Sequence, residues 1–106
     1  MKLVSIAILA VATALAGCGP ATRTATGIVV AVDQVSLTEI RSFTLRTEAG
    51  EILTFRVGTL DLSSGAFPAN HLREHMAAAA PIAVAFIDQN GEPTAVRLVD
   101  APSLDR

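Results

Sequence analysis

Asn70-His71-Leu72-Arg73-Glu74-His75-Met76-Ala77-Ala78-Ala79-Ala80-Pro81 is the one sustained run of helix formers in the folded part of this chain. Asn70 is a good N-cap residue, and Pro81 closes the run by biasing Ala80 away from helical geometry. The spacing predicts a short helix over 71–79. At about 100° per residue Leu72, Met76 and Ala79 share one apolar stripe and Arg73 faces away, which suits a plug for one end of a small barrel.

On both sides of this run the apolar period shortens to two. Upstream, Arg41 to Glu48 alternates polar with apolar residues, Ala49-Gly50 makes a tight turn, and Glu51 to Val57 continues the alternation. In that last segment Leu53, Phe55 and Val57 share one face and Ile52, Thr54 and Arg56 the other, so the two segments read as a hairpin. Downstream, Ile82–Asp88 and Pro93–Asp100 flank Asn90-Gly91, a pair that tolerates positive φ and signals a second hairpin. The β-branched run Gly27–Asp33 supplies a first strand, and the breakers Ser63-Ser64-Gly65 and Phe67-Pro68 mark 58–69 as a loop. The fold class is therefore mainly β. The order strand, strand, strand, helix, strand, strand resembles the OB-fold, and this resemblance implies a five-stranded Greek-key barrel with the helix between the third and fourth strands capping one end.

At the other end of the sequence Leu15-Ala16-Gly17-Cys18 closes an apolar run that begins at Leu3 behind Lys2. This resembles the lipobox of bacterial lipoproteins. The run is shorter than the ~20 residues needed to span a bilayer, and small residues stand directly before the only cysteine. The resemblance implies that a diacylglyceryl group is joined to Cys18, that the leader is removed, and that Cys18 becomes the acylated first residue, with palmitate-type chains holding it in the membrane. The expected organisation is a signal-peptide helix over 1–17, a lipidated tether over 18–26, the barrel over 27–101 and a tail over 102–106. The domain would then lie outside the cytoplasm, at the cell membrane or the outer membrane. Gly19, in place of the aspartate that often retains such proteins at the inner membrane, permits outer-membrane sorting by the same resemblance.

The residues that remain after Cys18 suffice for one small domain, and no second cysteine is present for a disulfide. Without Lys2 all basic residues are arginines, outnumbered by the acids, so the mature domain is mildly acidic and poorly suited to nucleic acid or an anionic bilayer as chief partner. Single-strand binders of OB type also present aromatic platforms on the second and third strands. Here Phe43 and Phe55 fall in the inward sets, Trp and Tyr are absent, and all four phenylalanines are expected in the core.

Within the helix His71 and His75 are four apart, close enough to share an ion through their imidazoles, and Met76 adds a soft thioether, which makes a candidate half-site for zinc or copper. The string His71-Leu72-Arg73-Glu74-His75 also resembles the H-x-x-E-H motif of inverzincin metallopeptidases, which would make the two histidines ligands and Glu74 the base. That family needs a further glutamate ligand far downstream in a large domain, for which this chain has no room, so the protease reading is rejected. The simpler reading puts both histidines at the rim of the apolar stripe with Glu74 as a hydrogen-bond partner. Asp61, Ser63 and Ser64 ahead of His71 read as turn and capping residues rather than a hydrolase set. No phosphate-cradling glycine loop or Gly-x-Ser-x-Gly elbow is present, and by the lipobox resemblance Cys18 would be consumed by acylation. The expectation is a non-enzymatic, membrane-anchored envelope lipoprotein that binds a protein or glycan partner without a cofactor. The alternative is a zinc- or copper-binding module built on His71, His75 and Met76.

Overall fold

A computed structural model describes residues 21–102; the expected signal-peptide helix, Cys18 and the tail beyond Pro102 lie outside the described residues. The elements run β1 (Arg23–Gln34), β2 (Ile40–Thr47), β3 (Ile52–Val57), a 3-10 turn (Ala69–His71), α1 (Leu72–Ala78), β4 (Ile82–Gln89) and β5 (Glu92–Asp100). The strands close into a barrel in the order β1-β2-β3-β5-β4, with β3 and β5 parallel and every other neighbouring pair antiparallel. This is a mainly β, five-stranded, OB-like barrel with one short helix after β3.

Closure rests on β1, which serves two neighbours in turn. Its first part, Arg23 to Gly27, pairs with β4, and the part from Gly27 onward pairs with β2. Gly27 sits at the handover, opposite both Ile82 and Thr47. A Cβ at Gly27 would overlap the carbonyl oxygen of Arg46, so only glycine lets the two backbones approach this closely. Just beyond, a register shift between Val29 and Ala31 bends the strand around the barrel.

The strand starts earlier than expected. Residues 23–26, anticipated as part of the tether, are paired with Ala83–Phe86 of β4. Small size concealed a period of two: Ala25 packs on the core while Thr24 and Thr26 face outward. Arg23 anchors the beginning, its guanidinium 5.0 Å above the Phe86 ring and 2.9 Å from Asp88.

The core forms where the alternation placed it. Phe43 and Leu45 from β2, Phe55 from β3, Ile82 and Val84 from β4 and Leu98 from β5 are fully buried around Val29, with Phe43 and Phe55 ring centroids 5.4 Å apart. Three of the four phenylalanines are buried, and Phe86 packs half-covered against the core at 4.9 Å from Phe55. From α1 Leu72 is fully buried as the plug, with Met76 partly buried beside it.

Two details of the helix are corrected. Asn70 lies inside the 3-10 turn and does not cap α1; the N-cap position is His71, and no side chain bonds to the first turn there. Ala79 does not extend the stripe either. It adopts a left-handed conformation (φ 52°, ψ 38°) as the C-cap, letting Ala79 and Ala80 donate to the Met76 and His75 carbonyls before Pro81. The second hairpin turns at Asn90 and Gly91, both at positive φ, as the dipeptide predicted.

Two stability outcomes follow from this geometry. Gly27→Ala is expected to lower unfolding free energy by about 2–3 kcal/mol, read from the urea midpoint, because the added methyl displaces the Arg46 carbonyl or opens the seam. Ala79→Gly is expected to raise it by about 0.5–1 kcal/mol, since the left-handed cap is unstrained for glycine.

Candidate functional site

Phe67 donates its N–H to the Leu98 carbonyl at 2.9 Å, which fixes its ring beneath α1. The His75 ring stacks on it at 4.3 Å and 11°, and the His71 ring lies nearly parallel at 6.3 Å. Helical spacing thus puts both histidines on one side, as expected, and there both rings lie over the face of Phe67. His75 Nδ1 donates to the His71 carbonyl at 2.9 Å, and Nε2 lies 2.6 Å from Asp100 Oδ1 at the end of β5. The carbonyl and the carboxylate can only accept, so the imidazolium form satisfies both. Burial opposes that charge, yet the His71 carbonyl and the Asp100 and Glu74 carboxylates outweigh it and raise the His75 pKa above its ordinary 6.5.

This arrangement bears on zinc or copper. Coordination through His75 needs an unprotonated nitrogen, and each nitrogen already faces an acceptor. Met76 packs toward the core, and Glu74 lines a groove with Gln34 and Leu37 between the β1–β2 loop and the helix. Among the described residues no group of three or more His, Cys, Asp and Glu side chains is placed to hold a metal ion.

Asp61, Ser63 and Ser64 serve the loop between β3 and the helix. Asp61 Oδ1 accepts the Ser63 N–H at 2.9 Å, and Arg97 of β5 donates to Ser63 Oγ at 2.8 Å and to the Ser64 carbonyl. The Ser63 amide, then its hydroxyl, then Arg97 hold the Asp61 carboxyl below its usual range. These contacts pin the loop along β5, where Asp61 also donates its N–H to Val96 at 2.8 Å and Ala66 bridges Val99.

The outer face of β2 and β3 offers a different arrangement. Cross-strand pairs Ser42–Arg56, Thr44–Thr54 and Arg46–Ile52 stack along it, with the two threonine hydroxyls 3.1 Å apart. At one end a cleft of about 410 Å³ is lined by Arg41, Ser42, Thr54, Arg56, Glu92 and Pro93. Arg41 lies 3.5 Å from Asp33, and Arg56 lies 2.9 Å from Glu92, all four side chains more than half exposed. Exposed pairs of this kind hold each other by ~1 kcal/mol or less, so either guanidinium can be given up to an incoming carboxylate at little cost. The face carries hydroxyls, guanidiniums and one exposed aliphatic side chain, Ile52, with Phe43 and Phe55 turned inward.

Comparison of the chain with models of protein families, with characterised proteins and with solved structures gives no match.

The sequence pointed to His71, His75, Met76 and the outward residues of the first hairpin. It missed Phe67 and Asp100 as the partners of His75, and Arg41 with Glu92 as walls of the cleft. Phe67 stands four residues ahead of the His71 N-cap, beyond the position from which an apolar residue staples a helix's first turn, so no short-range signal marked the stack. Nothing local marks Asp100, whose partner is 25 residues away.

The His75–Asp100 contact has a defined pH signature. Because the folded pKa is raised, its stabilisation is fully present below the unfolded value and is lost as pH rises through the folded one. Denaturation of the wild type from pH 5.5 upward is expected to show this loss on passing above about 6.5. Asp100→Asn is expected to flatten that part of the profile and cost about 1 kcal/mol at the acid end.

Proposed function

We propose that this chain is a membrane-anchored, extracytoplasmic envelope lipoprotein, lipidated at Cys18, whose barrel is a non-enzymatic binding module for a protein or glycan partner. The observation that carries the reading is Leu15-Ala16-Gly17-Cys18 standing just ahead of a closed barrel whose first strand begins at Arg23. At about 3.3–3.6 Å per residue, the stretch from Cys18 to Arg23 reaches no more than about 18 Å, so a lipid on Cys18 keeps the barrel against the bilayer. A domain held there works by presenting a surface. The outer β2–β3 face, flanked by the β1–β2 and β4–β5 loops, is where OB-like barrels carry ligands. Its cleft, with Arg41 and Arg56 weakly engaged and hydroxyls beside them, has the chemistry for a carboxylate-bearing or hydroxyl-rich partner.

Zinc or copper binding at His71, His75 and Met76 draws less support, because a metal on His75 must displace the Asp100 or the His71 contact. Thermal melts with zinc, cuprous and cupric ions separate the two readings. No metal is expected to raise the melting temperature, and a large rise that disappears in a His71→Ala, His75→Ala double variant would reverse the order of preference.

Two measurements test the main proposal. Native protein is expected to have the mass of a chain starting at Cys18 and carrying a thioether-linked diacylglycerol, while Cys18→Ala leaves the membrane fraction; a free thiol with the leader intact would sink the anchoring. Cell-wall glycan fragments and crosslinked envelope proteins then report binding. Reversing both charges in Arg41→Glu, Arg56→Glu is expected to weaken it about tenfold or more while the barrel still melts cooperatively.

A further inference from the structure

The barrel is closed unevenly, and its thinnest seam lies between β3 and β5. Pairing there is confined to Arg56–Thr94 and Val57–Ala95, followed by the Gly58 N–H donating to the Ala95 carbonyl at 3.0 Å. In a parallel ladder alternate residues point their N–H and C=O toward the neighbour, so Gly58 and Arg56 face β5, and Thr54 is the next to do so. The donor that would meet the Thr54 carbonyl belongs to position 93. That residue is proline and has no N–H, so the ladder stops.

The other side of the hairpin gives the same alternation. Thr47 donates to the Glu51 carbonyl at 2.9 Å, which places Leu53 and Phe55 in the pairs that exchange hydrogen bonds with β2 and turns the backbone of Ile52 and Thr54 away from it. Among the described residues, Ile52 to Phe55 have a strand partner on one side only. The loop after β3 seals the corresponding side of β5 through Asp61 and Phe67, and leaves β3 uncovered. Ile52 is 60% exposed, and its cross-strand neighbour Arg46 has no ion pair among the described residues. β3 has no proline, lysine or bulge within it, the features that usually protect an open edge.

We propose that the free edge of β3 is a docking site for an extended polypeptide segment, which adds as a further strand beside Ile52–Thr54. Donors and acceptors at strand pitch are matched by another main chain and not by a sugar. The side chains narrow the partner further: an apolar residue covers Ile52, and a carboxylate two positions away on the same face reaches the unpaired Arg46. The inference rests on the barrel being a binding module, narrows its partner to polypeptide, and is independent of lipid attachment.

The test uses the full-length protein in detergent micelles, with short linear peptides selected on it from a random displayed library. In the free protein the Ile52 and Thr54 amides are expected to exchange rapidly with solvent while Leu53 and Phe55 are protected. Selected peptides should carry an apolar and an acidic residue two apart and slow exchange at Ile52 and Thr54 about tenfold or more. Thr54→Pro removes the outward N–H, and with it the hydroxyl that meets Thr44, and is expected to weaken them about tenfold, whereas Thr54→Val, which loses the hydroxyl and keeps the N–H, is expected to bind them as the wild type does. Should that variant fail to fold, Arg46→Glu leaves the edge backbone intact and is expected to exchange the acidic preference for a basic one. Protected Ile52 and Thr54 amides in the free protein would overturn the proposal. So would peptides that perturb only the Arg41–Arg56 cleft, although these would uphold the binding-module reading. Concentration-dependent self-association that protects the same two amides would also overturn it, by showing a second copy of this chain on the edge.

Discussion

The barrel depends on one close backbone approach, that of Gly27 to the Arg46 carbonyl. A single strand pairs first with β4 and then with β2, and the point of transfer leaves no room for a side chain. Everything enclosed by the sheet, from Phe43 and Phe55 to the plug residue Leu72, is buried because this strand closes the circuit. With no disulfide in reach, packing around that circuit carries the stability alone.

The remaining seams differ in how they are sealed. The loop after β3 lies along β5, pinned by Arg97 to Ser63, Ser64 and Asp61. The helix is tied to the end of β5 by the His75–Asp100 contact over Phe67. Both devices bring the long connection between β3 and β4 onto β5, and neither touches the outer side of β3. A proline at the start of β5 completes the asymmetry by ending the parallel ladder early. On the proposed reading the recognition surface therefore gathers on one hairpin: the β2–β3 face for a ligand with carboxylates or hydroxyls, and the β3 edge for a main chain.

Charge supports this division. The domain is mildly acidic, and its exposed arginines mostly stand beside carboxylates: Arg23 with Asp88, Arg41 with Asp33, Arg56 with Glu92. Such exposed pairs contribute little to stability. His75 behaves differently because it is largely covered, both its nitrogens are engaged, and its charge is favoured by what surrounds it. Its place is between helix and strand, as a contact holding the plug.

Features written in short windows were legible from the residues. The two hairpins, the position of the helix, its end before Pro81 and the inward set Phe43, Leu45, Phe55 and Leu72 all follow from turn chemistry and from periods of two and 3.6, which act over a few neighbouring residues. The tertiary structure settled the rest. β1 begins at Arg23 because β4, some sixty residues on, offers Ala83–Phe86 as partners to a stretch of threonine and alanine with little preference of its own. Asp100 reaches His75, Arg97 reaches Ser63, and the β3–β5 ladder stops at Arg56, all through closure of the chain on itself. Contacts between residues this distant in sequence carry no local pattern, because the backbone neighbours of each are silent about which partner the fold will bring.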